Sequence, residues 1–133
     1  MTTPELSRQE QIHLPAGLLG FESIKFYLLS SEMEEAPFSW LQASDDVNLA
    51  FLVIPPFDFV PEYQPEISDE DVQFLGLTSP LDAWIFNIVT LRTGGATMNL
   101  KGPVVINRHT LIGKQVVLVN AADYSLQHPL PVA

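Results

Sequence analysis

A chain of 133 residues that is 47% hydrophobic and sets sixteen Asp and Glu against six Lys and Arg carries a formal net charge of -10. That length suits one domain with a core of its own, and so high an apolar fraction excludes a disordered acidic tail. The sign of the charge excludes direct docking onto nucleic acid or anionic lipid, whose phosphates it repels.

Short apolar runs rich in β-branched and aromatic residues, broken at short intervals by Pro, Gly, Asp or Asn, predict an all-β sandwich or barrel. In chain order the predicted strands cover residues 11–14, 25–29, 38–42, 49–54, 83–91, 97–100, 104–107 and 115–119. Between the third and fourth, Asp45-Asp46-Val47-Asn48 supplies side chains that bond their own backbone in a turn. The uninterrupted Leu49-Ala50-Phe51-Leu52-Val53-Ile54 reads as a central strand buried on both faces. Residues 55–66 then bring four prolines, the aromatics Phe57, Phe59 and Tyr63, and the acids Asp58, Glu62 and Glu66. Such a segment is extended and cannot donate a full ladder, so it is an edge or a rigid loop.

One short helix is expected next. Ser68 is a good N-cap, Asp69, Glu70 and Asp71 oppose the positive end of the helix dipole, and Gly76 can end the helix. Its Val72 and Leu75, three apart, face the core. Further on, Gly94-Gly95 predicts a hairpin between 83–91 and 97–100, and 107–113 a looser connection. The tail 124–133, with two prolines near its end, is expected on the surface.

Candidate chemistry is thin. There is no cysteine, hence no disulfide, thiolate nucleophile or Cys-ligated zinc. His13, His109 and His128 fall in separate segments without ligand spacing. Asp69, Asp71 and Gln73 mimic the start of a calcium loop, but Phe74 stands where its glycine belongs and Pro80 where its bidentate Glu belongs. Gly113-Lys114-Gln115 lacks the upstream glycine and the hydroxyl of a phosphate loop. Carboxylate pairs such as Asp45/Asp46 and Glu34/Glu35 sit side by side, as solvated turn acids do. No metal or cofactor is expected. No uncharged run exceeds eleven residues, too short for a membrane helix, and no signal peptide opens the chain. A cytoplasmic protein is expected.

The charge is unevenly placed. Between Phe26 and Leu91 there are twelve acids and no Lys or Arg. The densest patch lies beside the aromatic, proline-stiffened segment, an arrangement of anchors in a charged rim that suits protein recognition. The competing interpretation is that the aromatics fill the core and the acids form a solvated face.

Five stretches carry a resemblance to a known family. They are Leu14-Pro15-Ala16-Gly17-Leu18-Leu19-Gly20-Phe21-Glu22, Pro37-Phe38-Ser39-Trp40-Leu41-Gln42, Leu49-Ala50-Phe51-Leu52-Val53-Ile54, Tyr63-Gln64-Pro65-Glu66-Ile67-Ser68-Asp69-Glu70-Asp71, and Asn99-Leu100-Lys101-Gly102-Pro103-Val104-Val105-Ile106-Asn107 followed by Gly113-Lys114-Gln115. In this order the chain resembles the bacterial flagellar assembly factor FliW. The resemblance implies a single domain with a small antiparallel β-barrel-like fold and one short helix. It implies a non-enzymatic protein with two competing partners, flagellin and the basic RNA-binding translational regulator CsrA, whose repression of flagellin translation it relieves.

The expected partner-binding residues are Tyr63, Glu66, Asp69, Glu70 and Asp71 on an acidic face, with Asn99, Leu100 and Lys101 as a second patch carried over from the matching family segment. Lys101-Gly102-Pro103 is equally consistent with a structural turn into a strand. The chain is expected to act as a monomer. Two alternatives are kept: a small β-barrel hydrolase using a carboxylate pair, and a flagellin chaperone with no regulatory partner.

Overall fold

The structure is a computed structural model that describes residues 8–31 and 38–130. Glu34 and Glu35, and the last three residues of the tail, lie outside the described residues. Four strands follow one another as an antiparallel meander: β1 (Arg8–His13), β2 (Phe26–Ser31), β3 (Ser39–Ala43) and β4 (Ala50–Ile54). The turn into β4 uses the predicted chemistry, Asp46 Oδ1 accepting from Asn48 N at 3.0 Å. β4 lies inside the sheet as expected, between β3 and β5 (Ala83–Arg92). Only Val53 and Ile54 are fully buried, however, because the first three residues of β4 keep part of their surface exposed.

β5 is ten residues long and serves two partners along one edge. Its second half pairs with β6 (Gly95–Met98) through the turn Thr93-Gly94, where Gly94 takes φ +86°, a conformation open to glycine. Its first half pairs with β7 (Val104–Asn107). β6 and β7 are thus two halves of one partner strand, interrupted by residues 99–103. The predicted strand 97–100 ends early for that reason: at Asn99 the chain leaves the ladder, its N–H donating to Ile88 O at 3.0 Å as the last sheet bond. β8 (Gly113–Gln115) adds to β7, and β9 (His128–Leu130) adds to β6. A single parallel bridge between His13 and Ile112 brings β1 back towards β8, so the sheet curls into a barrel-like form without closing.

The sheet separates two cores. Towards the inside of the curl, Trp84, Phe86 and Ile88 of β5 meet Ile12, Tyr27, Leu41 and Val53. On the other face Ile85 and Val89 meet Ile54, Met98 and Val105, and this core is roofed by the α-helix α1 (Asp69–Leu75), the proline-rich segment before it and the stretch after β8. Each fully buried Leu, Ile or Val contributes roughly 1.5–3 kcal/mol, so the alternation along β5 secures both layers at once. α1 keeps its predicted limits: Ser68 Oγ accepts from Asp71 N, Gly76 ends the helix at φ +68°, and Leu75 is buried while Val72 is half-buried.

Two further expectations are corrected. Residues 115–119 are not one strand, because β8 ends at Gln115, residues 116–118 run on outside any ladder and Val119 enters a turn. Val116 and Leu118 are buried and Val117 and Val119 exposed, so the alternation that suggested a strand is real. Their N–H groups go to loops instead: Val116 to Pro103 O, Leu118 to Lys101 O and Val119 to Glu66 O. The tail, expected wholly on the surface, contributes β9, with Leu130 buried; Pro129 fits because the strand lies at the end of the sheet path.

Candidate partner-binding face

The proline-rich segment leaves β4 at Pro55, makes a 3-10 turn over Pro56–Asp58, and is then strapped to the far side of the chain. Gln64 N donates to the Tyr124 hydroxyl at 2.9 Å, Asn120 Nδ2 donates to Gln64 O at 2.8 Å, and Glu66 N donates to Asn120 Oδ1 at 3.0 Å. With Val119 N donating to Glu66 O at 2.8 Å, the main chain of Glu66 is held from both sides. Its side chain is left in solvent, as are those of Asp69 and Glu70 on the first turn of α1.

Asp71, the third acid of that turn, points inward. Its side chain is 9% exposed, and Oδ1 accepts from Lys114 Nζ at 2.5 Å while the same ammonium lies 5.6 Å from the centre of the Phe74 ring. It is half of an ion pair that pins α1 to β8 and is not available to a partner. The expected acidic face therefore reduces to Glu66, Asp69 and Glu70.

Tyr63 and Leu100, expected to meet a partner, are both 2% exposed, which corrects their placement. The Tyr63 hydroxyl donates to Leu100 O at 2.7 Å, and its ring packs edge-on against Tyr124 at 4.8 Å. Burial pushes the Tyr63 phenol up to about 12. The aromatics of the segment thus divide the opposite way to a surface anchor at Tyr63: Tyr63 is inside, and Phe57 is 44% exposed.

The second patch is mostly architecture. Asn99 Oδ1 accepts from Lys101 N at 2.9 Å and Gly102 N at 3.0 Å, which folds residues 99–103 into a compact loop. Fully buried Asn87 donates from Nδ2 to Asn99 O at 2.6 Å. Lys101 alone of the three keeps a partly exposed side chain without a role in the loop. The structure does bring the two predicted patches together, since Glu66 O and Lys101 O accept from consecutive N–H groups of the 118–119 stretch, and Tyr63 bonds to Leu100.

Sequence inspection named Phe57 among the aromatic anchors but missed the other exposed apolar residues around this strap, Val117, Val119 and Phe74. Val117 and Val119 stand next to the Glu66 contact at 66% and 65% exposure, and Phe57 and Phe74 flank the acids. The signal was present as apolar residues two apart, but an alternation does not say which face is covered. As for hydrolytic chemistry, the two carboxyls among the described residues whose pKa shifts, Asp82 and Glu22, are both shifted down. Asp82 falls to about 2, held down first by bonds from the Thr78 backbone and hydroxyl and then by His109, and Glu22 falls through bonds from the Gly20 and Glu22 backbone. A general acid needs the reverse. Among the described residues no three His, Cys, Asp or Glu are grouped to hold a metal, and no helix is long and apolar enough to cross a membrane.

The family model described as FliW protein matches residues 1–130. The chain belongs to the FliW family. Among its relatives, the flagellar assembly factor FliW of Leptospira biflexa is 42% identical over 118 residues, covering 86% of this chain and 77% of that protein. The FliW of Natranaerobius thermophilus is 39% identical over 129 residues, covering 95% and 85%. A crystal structure of the flagellar assembly factor FliW superposes with a TM-score of 0.83 at 31% identity, covering 99% of this chain and 91% of that one. Membership of the FliW family and the antiparallel barrel-like fold thus agree with the resemblance read from the five stretches.

Proposed function

We propose that this chain is a flagellar assembly factor that acts in the cytoplasm by protein binding. It takes flagellin and the basic regulator CsrA as competing partners and relieves the repression of flagellin translation when it holds CsrA. Its family carries the flagellar part of this reading. The CsrA part is supported by the main-chain strap that presents Glu66, Asp69 and Glu70 to solvent, since a fixed set of like charges steers a basic protein without having to be ordered on binding.

Titration of the purified protein with CsrA and with flagellin, followed by displacement of one by the other, tests it. Binding to both with mutual displacement is the expected result. Retention of flagellin alone leaves the chaperone reading in place and removes the regulatory one; binding to neither removes both.

A further inference from the structure

β4 stops bonding to β5 at the pair Ile54 with Asn87, because Pro55 and Pro56 follow and neither has an N–H to offer. The first half of β5 consequently has β7 on one edge and, among the described residues, no strand on the other. Which main-chain groups face that open edge follows from the bonds on the closed one. Asn99 N donates to Ile88 O and Arg108 N donates to Asp82 O, so the even-numbered residues of β5 point their N–H and C=O towards β6 and β7. Ile85 points its own the other way, and no group among the described residues bonds to them.

Two hollows adjoin this edge and share Phe57, Ala83 and Ile85 in their walls. The first, about 400 Å³, lies on the inner-core side among Glu10, Leu29, Pro55, Trp84 and Phe86. The second, about 480 Å³, lies on the other side among Pro65, Ile67, Val72 and Leu77. The turn Pro56–Asp58 forms the far wall and turns Phe57 outward between them. A strand directs successive side chains to opposite faces, so an extended segment bonded to Ile85 would send one side chain into each hollow.

Among the described residues no Lys or Arg lines either hollow, Glu10 lines the first, and exposed Asp58, Glu62 and Glu66 belong to the segment that walls them. We propose that this split between β4 and β5 is a docking slot for an extended segment of a basic protein partner, with large apolar side chains at neighbouring positions and Lys or Arg flanking them. It rests on the preceding reading that the chain works by binding a basic protein, and adds where and in what conformation that partner is held.

The probe is purified CsrA, with flagellin as the comparison. Ser39→Phe fills the first hollow from β3 without removing any bond described above, and amide hydrogen exchange at Ile85 reports the edge directly in the unaltered protein. The expected results are a dissociation constant for CsrA raised about tenfold or more in Ser39→Phe, and exchange at Ile85 slowed about tenfold or more in the complex. Unchanged exchange at Ile85 in a complex that does form overturns the slot while leaving partner binding intact, as does an effect on flagellin alone. If Ser39→Phe does not fold, the exchange measurement decides by itself. Failure of the unaltered protein to bind CsrA removes the preceding reading and this inference with it.

Discussion

The first turn of α1 and the loop 99–103 lie on either side of the stretch 116–119, and they treat their polar groups in opposite ways. On one side Glu66, Asp69 and Glu70 are turned outward, and only their backbone is used to hold the fold. On the other, Asn99 spends its side chain on closing the loop and Leu100 gives its carbonyl to Tyr63. The lesson is that two stretches matching one family pattern need not be two contact surfaces: one is a presented surface and the other is the joint that positions it. Tyr63 is where they meet, so altering it should produce the largest effect.

Truncation of Tyr63 to Ala removes a ring buried against Tyr124 and a hydrogen bond across the joint, and should cost about 3–5 kcal/mol in denaturant unfolding. Tyr63→Phe keeps the ring and leaves Leu100 O without its donor, for about 1–2 kcal/mol. If Tyr63→Ala costs no more than a surface change, the joint is not where the two regions are coupled.

The same residue should make the fold sensitive to alkali. The folded phenol titrates at about 12, above the ordinary value near 10, so its contribution is complete below pH 10 and is lost as pH rises through 12. Over that interval the protein should lose about 2–3 kcal/mol more than Tyr63→Phe does, read as the difference between their unfolding curves at each pH. Equal losses in the two proteins would place the alkaline sensitivity elsewhere.

Within the presented surface itself Asp71 is the exception, and it can be used to sharpen the contrast. Asp71→Asn breaks a partly buried ion pair with Lys114 and should cost about 1–2 kcal/mol in thermal or denaturant unfolding. Asp69→Asn, two residues earlier and exposed, should cost no more than about 0.5 kcal/mol through the helix dipole. A similar loss at both positions would mean that the ion pair adds nothing.

How much of this was legible beforehand depends on range along the chain. The helix was readable to its caps, because Ser68, Asp71 and Gly76 interact within one short stretch. The β5–β6 hairpin was readable from its apolar runs and the Gly94-Gly95 turn, and the inside place of β4 from its uninterrupted apolar run. Direction of burial was not: Tyr63 and Phe57 are both aromatics in a proline-rich segment, and only the distant Leu100 carbonyl and Tyr124 ring decide which is inside. Likewise Asp71 looks like its neighbours until Lys114, 43 positions away, is placed beside it. The stretch 116–119 alternates as a strand should, but pairing depends on partners, and Pro103 and Lys101 occupy the loop that faces it.

A small expected effect on stability carries the most functional information. Changing Glu66→Gln, Asp69→Asn and Glu70→Gln together removes three exposed charges, which leaves every hydrogen bond of the strap in place because those bonds use the main chain of Glu66 and the side chains of Asn120 and Tyr124. Unfolding free energy should therefore shift by no more than about 1 kcal/mol. Association with a basic partner is another matter, since steering depends on the summed field of the patch and not on any one ion pair. Stopped-flow association with CsrA should slow by about an order of magnitude at low salt, and the salt dependence should flatten, with dissociation changing less. Tyr63→Phe, which leaves the surface charge intact, should not alter that salt dependence. An unchanged association rate in the triple variant would mean that the presented acids serve solubility, and that a basic partner finds this protein by its apolar surfaces alone.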